Sequence, residues 1–403
     1  MATSAFTRSV PGDTWIVEAV RTPIASLGGS FAELSAPELG AVCIQAALDR
    51  VGLAGGDVDH VMMGNVVGAG IGQNPARQAS IRAKLPASVP AMTVNKVCGS
   101  GLAAVVLGTQ SLRLGESQIV VAGGMESMSR APYLLSKARQ GYRLGHGELL
   151  DSLIVDGLWD CYGHKHMGTY GDQCATHCHL SRQDQDDFAV RSYVRAREAI
   201  SAGYFQREIV PVPVIAKKQT VLVNLDDGPS RFDEAKLRAL RPAFSDAGTV
   251  TAGNASSIND GAAALLVMEA GRARSLGLAP LARIVATSVA GVDPSVMGIG
   301  PIPAITKLLA RTGLSAAQID RVELNEAFAS QAVACIRELG LDPATTNIHG
   351  GAIALGHPLG ASGARMLVTL TRELRRSGSR YGVASMCVGV GQGIAMLVER
   401  VES

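Results

Sequence analysis

Apolar residues along the chain fall into two kinds of segment, short uninterrupted runs and longer stretches with helical spacing. The short runs are rich in Val, Ile and Met, which is typical of buried strands. In the first part of the chain they are residues 15–20, 58–67, 91–94 and 118–122. The helical stretches between them cover residues 37–51, residues 75–83 and the segment that Cys98 opens. Strands and helices in alternation predict an α/β fold, in which helices cover the faces of sheets.

The second part of the chain repeats this pattern of elements. An offset of 261 residues matches apolar and turn positions within 51–61 to those within 312–322. An offset of 262 residues does the same for the turn and strand positions of 99–121 and 361–383. Because unrelated domains have no reason to share such spacing, the matches favour two similar halves over two unrelated α/β domains.

A long insertion separates the first half from its own last strand. The final strand of the second half, 391–399, has its counterpart at 261–269. The residues from 124 to about 257 differ in texture, with a charged helix predicted over 181–202 and five of the eight histidines. We therefore predict four segments. They are the first half over 1–126, an inserted loop domain over 127–257, the last strand of the first half over 258–278 and the second half over 279–403.

Composition argues against several classes of function. A formal net charge of +2 over 403 residues gives no electrostatic basis for binding nucleic acid or an anionic membrane. No apolar run approaches the roughly 20 residues that a membrane span needs. Residues 1–14 contain Arg8 and Asp13 without an apolar core, so we expect no secretory signal. The seven cysteines are then expected to be reduced thiols, and the cytoplasm is the expected compartment.

Cys98 stands where a reactive thiol is expected. It lies in a turn with Gly99 and Gly101, directly before a predicted helix. A thiol at a helix N-terminus has a lowered pKa, and the thiolate is the nucleophile. The glycines let the backbone turn sharply and let a substrate approach closely. A buried structural cysteine is the competing interpretation, and Cys98 taken alone does not decide between the two.

Two further segments carry residues suited to act with Cys98. His357 lies between Gly356 and Pro358, so a rigid loop would hold it as a base for the thiol. Cys387 follows a predicted strand, and a thiol with a perturbed pKa can act as an acid or a base. The repeat places Cys98 and the His357 loop before equivalent helices. Two halves packed together would bring those helix N-termini close to each other.

Other chemistry could use the same residues. Residues 99–104 have the G-x-G-x-x-A spacing of a dinucleotide fingerprint, which needs an acidic residue about 20 positions later at the end of a second strand. Glu126 is the nearest such residue, but no βαβ continuation follows it, so the pattern disfavours nucleotide binding. A redox disulfide between Cys98 and Cys387 is a further alternative, although it would leave His357 without a role.

Asn325 and a group of His and Cys residues complete the candidate set. Asn325 ends a predicted strand, where its amide could hold a water or an oxyanion; a plain turn asparagine is the alternative. Seven possible zinc ligands fall within 19 residues of the insertion, at a spacing that matches no common zinc pattern. They are Cys161, His164, His166, Cys174, His177, Cys178 and His179. We therefore expect no metal site.

Four long motifs, in order along the chain, resemble the signatures of the thiolase family. They are Asn95 to Gly101, Asn325 to Ala329, Gly351 to Gly363 and Cys387 to Gly393. The resemblance covers nearly the whole chain and includes the inserted loop domain. It implies the thiolase fold, in which two similar βαβαβαββ halves form an α/β/α/β/α arrangement of layers.

The resemblance also implies a reaction. Cys98 would attack an acyl-CoA thioester once His357 has activated it, and Cys387 would take a proton from the α-carbon of acetyl-CoA. The carbanion would attack the acyl-cysteine in a Claisen condensation, of which thiolysis is the reverse. Asn325, through a water, and His357 would form one oxyanion site, and the amides of Cys98 and Gly389 the other. CoA thioesters are thus expected as substrates, with no permanently bound cofactor.

The same resemblance indicates the acyl chain length and the CoA contacts. His166 and Met167 resemble the His-Met-Gly of the short-chain biosynthetic branch and would limit the acyl group to acetyl and acetoacetyl. We therefore expect condensation of two acetyl-CoA to acetoacetyl-CoA and CoA, with a broader 3-ketoacyl-CoA thiolase of fatty-acid degradation as the alternative. The other expected CoA contacts are Ala252, Ala255, Ser256, Met297, Ala327, Phe328 and Arg231. By the same analogy we expect a homotetramer built as a dimer of dimers.

Two places depart from the family pattern. Val390 stands where the family usually has a third glycine in its last motif. If the backbone needs a positive φ there, a β-branched residue is strained, and this affects the geometry of the Gly389 amide. The adenine side of the CoA site is weakly marked, because 226–241 matches the family only at its Leu-Arg-Pro end.

Overall fold

The computed structural model describes residues 12–216 and 218–402, which form sixteen strands and twelve α-helices. The strands are β1 (Thr14–Arg21), β2 (Ala25–Ser26), β3 (His60–Gly64), β4 (Ala91–Val94), β5 (Ile119–Ser127), β6 (Tyr133–Leu134), β7 (Leu150–Asp151), β8 (Trp159–Asp160), β9 (Lys165–His166), β10 (Val212–Ala216), β11 (Gln219–Val223), β12 (Asn259–Glu269), β13 (Ala282–Gly291), β14 (Arg321–Leu324), β15 (Tyr381–Val388) and β16 (Gln392–Glu399). The helices are α1 (Ala36–Val51), α2 (Pro75–Arg82), α3 (Ser100–Arg113), α4 (Met167–His177), α5 (Arg182–Ser201), α6 (Asp227–Ser230), α7 (Glu234–Ala239), α8 (Ala270–Ser275), α9 (Pro301–Thr312), α10 (Ala329–Leu339), α11 (Ala352–Leu355) and α12 (Leu359–Ser377).

The two halves build sheets with the same order of equivalent strands. The order is β4-β3-β5-β12-β1 in the first half and β14-β15-β16-β13 in the second. β3 pairs with β5 in parallel, as β14 does with β15, and the remaining pairs that involve β12 and β16 are antiparallel in both halves. A bridge between Val322 and Thr346 takes the place of the β3–β4 pairing in the second half. The strand pairing therefore shows the repeat that the sequence offsets predict.

A short antiparallel pairing of β1 with β13 joins the sheets of the two halves into one ten-stranded sheet. Helices form three layers around these two sheets. α1 and α2 pack on the first sheet, α9 and α10 cover the second, and α3 and α12 pack together between the sheets. The large apolar clusters follow these layers, since alternate side chains of each buried strand face opposite sides of its sheet. The predicted α/β fold with five layers is confirmed.

The contact between α3 and α12 depends on glycines near their N-terminal ends. A methyl group on Gly101 would lie 2.8 Å from the carbonyl oxygen of Gly360, and one on Gly363 would lie 2.6 Å from the backbone nitrogen of Leu102. The two helices can therefore approach backbone to backbone only where no side chain intervenes. This contact brings the starts of two equivalent helices, and the residues just before them, to one place.

Three predicted elements have different limits in the structure. The run 58–67 forms a strand only as far as Gly64, because Val66 and Val67 turn their backbone N–H groups toward Glu126. α3 begins two residues after Cys98 rather than at it. Cys387 lies inside β15, not beyond it, and pairs with Gly393 of β16.

The segment between β5 and β12 folds against both halves. Its long helix α5, predicted over 181–202, has a capping box formed by Ser181 and Asp184. The fully buried Arg21 of β1 forms ion pairs with Glu208 at 2.6 Å and Asp226 at 2.7 Å, which join the insertion to the first sheet. None of the helices described above is long and apolar enough to cross a bilayer.

Candidate active site

Cys98 is held by a tight turn between β4 and α3. The residue before it, Val97, has a φ of +46°, a conformation that side chains with a Cβ rarely adopt. The Ser100 hydroxyl supports the turn by donating to the Val97 carbonyl at 2.6 Å and accepting from the Lys96 N–H at 2.8 Å. Gly99 admits the second half closely, since a methyl group there would lie 2.9 Å from a β15 side chain. The turn leaves Cys98 buried but in the wall of a cavity.

His357 is oriented by a serine of the helix that follows it. The His357 Nδ1 atom lies 2.6 Å from Ser362 Oγ, and the Ser362 hydroxyl donates to the Pro358 carbonyl at 2.9 Å. Ser362 Oγ therefore accepts from Nδ1–H, which leaves the lone pair on Nε2. The Nδ2 atom of Asn325 lies 3.4 Å from this Nε2 atom. Nε2 is thus the basic atom of the ring, and Asn325 shares its surroundings.

Cys98 and His357 both rest in their neutral forms. Burial raises the pKa of the Cys98 thiol to about 11, although the backbone N–H groups of Gly389 and of Cys98 itself hydrogen-bond the sulfur and lower the pKa. The expectation of a lowered thiol pKa was therefore wrong, because burial outweighs the N–H groups in the free site. Burial, followed by the positive charge of Arg365, lowers the pKa of His357 to about 3. The imidazole is thus free to accept a proton at neutral pH.

Cys387 is fully buried on β15, next to Cys98. Burial, and then the neighbouring thiol of Cys98, raises its pKa well above the ordinary value. A thiol that keeps its proton can serve as an acid toward a leaving thiolate and then as a base. All seven cysteines lie in the described part of the chain and are free thiols, Cys98 and Cys387 included.

The turn after β15 carries the Gly389 amide and the unusual Val390. Val390 has a φ of +62° and is followed by Gly391 with a φ of +80°. The position therefore does require a left-handed backbone, as the family pattern suggested, and the β-branched side chain is strained there. The Gly389 N–H nevertheless lies near enough to the Cys98 sulfur to lower the pKa of the thiol.

Asn325 follows β14 and is fully buried. Its backbone N–H donates to the Ser385 carbonyl at 2.9 Å, which fixes the residue at the end of the sheet. The side-chain oxygen Oδ1 has no hydrogen-bond partner among the described residues. A buried polar atom without a partner is costly unless a ligand or a water satisfies it. An unpaired acceptor fits the predicted amide that holds a water, which would donate to Oδ1, rather than a plain turn asparagine; an oxyanion is itself an acceptor and would need the amide NH₂ group.

One cavity of about 490 Å³ unites the predicted residues. Its wall contains Cys98, His357 and Gly389, while Cys387 and Asn325 lie directly behind it. It also contains every residue expected to contact CoA. These are His166, Met167, Arg231, Ala252, Ala255, Ser256, Met297, Ala327 and Phe328. The structure therefore brings the whole predicted set together, from segments up to 291 residues apart in sequence.

Aromatic side chains narrow the cavity above the reactive residues. The His166 ring stacks on Phe244 with centroids 4.8 Å apart, and Phe244 meets the edge of Phe328 at 6.5 Å. Phe244 was missed from sequence, although it lies only two residues after the Leu-Arg-Pro segment that matched the family. Other missed wall residues are Val97, Met128, Leu158, Ala243 and Leu359. Arg231 is largely exposed and lies 3.7 Å from Asp227, so it is the cation at the rim.

The alternatives drawn from sequence find no support in this geometry. Among residues 12–216 and 218–402, no three His, Cys, Asp or Glu side chains converge as metal ligands. Within the zinc alternative, His166 accepts from the Gly168 N–H at the start of α4, and Cys174 is buried while Cys161 is exposed. Glu126, the acidic residue of the dinucleotide alternative, is buried and accepts hydrogen bonds from protein N–H groups.

Comparison with known proteins identifies the family. The family model of the thiolase N-terminal domain matches residues 14–271, and that of the thiolase C-terminal domain matches 278–400. The acetyl-CoA acetyltransferases of Cupriavidus necator and Pseudomonas aeruginosa are 50% and 51% identical to the chain over 390 residues, which is 96% of this chain and 99% of each relative. The crystal structure of the Bacillus anthracis acetyl-CoA acetyltransferase superposes with a TM-score of 0.94 at 41% identity, covering 96% of this chain and 98% of that one. The chain therefore belongs to the thiolase family.

Proposed function

We propose that the protein catalyses the reversible condensation of two acetyl-CoA to acetoacetyl-CoA and CoA. The observation that carries this proposal is the convergence of Cys98, His357, Cys387, Asn325 and Gly389 on one cavity. Relatives at about half identity over nearly the whole chain are named acetyl-CoA acetyltransferase, which supports the expected activity. They do not favour the broader 3-ketoacyl-CoA thiolase.

The first step transfers an acetyl group to Cys98. The sulfur attacks the thioester carbonyl carbon while its proton passes to His357 Nε2, the atom that Ser362 leaves unprotonated. The N–H groups of Cys98 and Gly389, which already face the sulfur, would hold the oxyanion of the tetrahedral intermediate. The CoA thiolate then leaves and takes the proton of Cys387. The products of this step are acetyl-Cys98, free CoA, a Cys387 thiolate and a protonated His357.

The second step forms the carbon–carbon bond. The Cys387 thiolate takes a proton from the α-carbon of a second acetyl-CoA, and the enolate oxygen lies against Asn325 and the protonated His357. The carbanion attacks the acetyl carbon on Cys98, and the Cys98 thiolate leaves. It recovers its proton from His357, so both thiols and the imidazole return to their starting states.

Intact mass spectrometry with acetyl-CoA tests the proposal. The wild type is expected to gain one acetyl group on the peptide that contains Cys98, and Cys98→Ala is expected to gain none. Cys387→Ala is expected to gain the acetyl group more slowly, because the leaving CoA thiolate must then take its proton from water, and to form no acetoacetyl-CoA, because no group removes the α-proton in the second step. Absence of an acetyl increment on the wild type would exclude the acyl-cysteine mechanism.

We also propose that the acyl site accepts short chains only. His166, Met167, Phe244 and Phe328 line the same cavity as Cys98, and the three rings pack on one another. The Met167 sulfur lies 3.8 Å from where a methyl group on Gly389 would stand, which places this bulky side chain beside the oxyanion donor. A series of 3-ketoacyl-CoA substrates measured in thiolysis tests this. kcat/KM should be greatest at four carbons, and a rise with longer chains would contradict the proposal.

Assembly and compartment are proposals of the same kind. The predicted homotetramer is supported by large apolar side chains that the insertion exposes, among them Tyr133, Leu144, Leu149 and Tyr162. Light scattering after gel filtration should give the mass of four chains. The cytoplasm is supported by the seven free thiols, which suit a reducing compartment.

A further inference from the structure

The turn that carries His357 is held by two side chains of the other half. The backbone N–H of His357 donates to Asn259 Oδ1 at 2.9 Å, and the N–H of Gly360 donates to Glu126 Oε2 at 2.7 Å. Asn259 begins β12, and Glu126 lies near the end of β5, the strand paired with β12. Side chains from two neighbouring strands of the first half thus hydrogen-bond both ends of the turn that carries His357 in the second half.

Glu126 is buried and surrounded by donors. Besides the Gly360 N–H, it accepts the Asn65 side-chain amide at 2.7 Å and the N–H groups of Val66 and Val67 at 3.1 Å each. Every one of these groups is an N–H that can only donate, so the arrangement requires an acceptor on both oxygens. Glutamate in its carboxylate form meets that requirement, whereas the amide of a glutamine would face donors with its own NH₂ group.

Glycines allow the His357 turn and the first half to pack closely. Gly356 has a φ of +113°, and a methyl group there would collide with the Asn259 side chain. A methyl group on Gly360 would lie 2.8 Å from Glu126 Oε2, and one on Gly64 would lie 2.6 Å from the Gly360 carbonyl oxygen. The turn between His357 and α12 is therefore packed against the first half with no room to shift.

We propose that Asn259 and Glu126 are positioning residues that form a two-point clamp, setting where His357 Nε2 stands relative to the Cys98 sulfur. This inference rests on the proposed function. The clamp links the half that carries the nucleophile to the half that carries the base. It therefore fixes the position of the base relative to the nucleophile. Neither side chain lies in the wall of the cavity, which separates their role from substrate binding.

The electrostatic effect of Glu126 on Cys98 would hinder the proposed reaction. Its negative charge raises the pKa of Cys98, so the carboxylate opposes formation of the thiolate. A buried carboxylate is also costly to desolvate. The geometry of the turn, and not activation of the thiol, is what this side chain contributes to the site.

Kinetics of Glu126→Gln and Asn259→Ala test the clamp. In thiolysis of acetoacetyl-CoA, kcat is expected to fall about 10²-fold in each, because a displacement near 1 Å in a reacting group has that effect. KM is expected to stay within about twofold, since the cavity wall is unchanged. Cys98 alkylation by iodoacetamide, which needs the base but no CoA contact, should slow in parallel. The double variant should fall by less than the product of the single effects, because both side chains hold one turn.

Glu399→Gln is the matched control for lost stability. Glu399 is also buried, and it accepts from Arg283 at 2.5 Å and Arg380 at 2.7 Å at the end of β16 away from the site. This variant should lower the melting temperature at least as much as Glu126→Gln while keeping wild-type kcat. Faster alkylation of Glu126→Gln, unchanged kcat, or a loss of kcat in Glu399→Gln that matches its melting temperature would each overturn the clamp. An inactive wild type would instead contradict the proposed function.

Discussion

The turns that precede α3 and α12 occupy equivalent places in the two halves, yet they are stabilised in different ways. The Cys98 turn is held by its own residues, since Ser100 bonds the Val97 carbonyl and the Lys96 N–H. The His357 turn is held from outside, by Asn259 and Glu126 of the other half. Its own serine, Ser362, is the equivalent of Ser100 but bonds the imidazole in addition to a carbonyl.

This difference shows how a duplicated scaffold can serve two chemical roles. The repeat delivers two helix starts to one place, which suits a nucleophile and a base. The position of the nucleophile depends on a rigid local turn, and its oxyanion donors are two backbone N–H groups, its own and that of Gly389. The base also needs a fixed ring orientation and a fixed distance to the sulfur, and contacts across the halves supply these. Substitutions at equivalent positions of the two turns should therefore affect different properties, catalysis in the His357 turn and stability in the Cys98 turn.

Loss of the reactive side chains should give the largest effects. Cys98→Ala should show no turnover, because no acyl-enzyme can form. His357→Ala should lower kcat about 10³- to 10⁴-fold, the usual range for removal of a general base. Alkylation of Cys98 by iodoacetamide should persist in His357→Ala at a lower rate, while Cys98→Ala should lose labelling of this peptide. Turnover of His357→Ala near the wild-type rate would show that another group takes the Cys98 proton.

Alanine substitutions of the two equivalent serines, Ser362 and Ser100, should separate an effect on the orientation of His357 from an effect on stability. Ser362→Ala should lower kcat about 10- to 100-fold, because the imidazole loses the partner that fixes its tautomer. Ser100→Ala should lower the free energy of unfolding by about 1–3 kcal/mol, since a buried N–H and a carbonyl lose their partner. Urea unfolding and thiolysis kinetics of both variants check this. Equal kcat losses in the two variants would erase the proposed difference between the turns.

The dependence of kcat on pH below neutrality should reflect the protonation of Glu126, which binds one end of the His357 turn. Burial raises the pKa of Glu126 to about 7, whereas the pKa of His357 is lowered to about 3. As pH falls through about 7, a proton on Glu126 replaces an acceptor with a donor, so kcat should fall about tenfold by pH 6. Glu126→Gln should lack this inflection. An inflection near pH 7 that persists in Glu126→Gln would assign the titration to another group.

The stability contribution of Glu126 should change in the opposite direction. Its folded-state pKa lies above the unfolded value of 4.5, so between about pH 4.5 and 7 the folded state binds a proton that the unfolded state lacks. This group therefore stabilises the fold most at low pH, and its contribution decreases as pH rises through that window. The difference in melting temperature between wild type and Glu126→Gln, followed against pH, measures it.

The smallest effect is expected at Val390, beside the Cys98 turn. Relief of a positive φ returns about 1–3 kcal/mol, and the added freedom of glycine costs about 0.5–1 kcal/mol. Val390→Gly should thus stabilise the protein by roughly 1 kcal/mol in urea unfolding. Gly391→Ala is the matched control and should destabilise, because it adds a Cβ at a φ of +80°. Destabilisation by Val390→Gly would mean that Val390 packing outweighs the strain.

Much of the site was accessible from sequence because its chemistry resides in motifs. Cys98, His357, Cys387 and Asn325 sit in short glycine-bearing patterns whose order and spacing resemble the thiolases. Residues that support them carry no such mark. Phe244 and Leu359 are ordinary apolar residues in sequence, and they become cavity wall only through the packing of the insertion and of α12.

Glu126 is the clearest case of a residue whose role the sequence did not reveal, because the only pattern that singled it out also disfavoured nucleotide binding. It drew attention as the acidic residue of a dinucleotide fingerprint, which is a pattern defined by distance along the chain. Its real neighbours include Gly360, 234 positions away. No spacing rule reaches that far, because hydrogen bonds across two packed halves depend on the sheet register and the helix contact.

Patterns in the chain alone were enough to predict the alternation of strands and helices, the duplicated halves, the reactive side chains and the family. These follow from local periodicity and from motifs, which are properties of neighbouring residues. The folded molecule was needed to establish the protonation states of Cys98 and His357, the tautomer that Ser362 imposes and the contacts of Asn259 and Glu126 with the His357 turn. Desolvation and hydrogen bonding between the halves exist only after they pack, and these forces set the chemistry of the two turns.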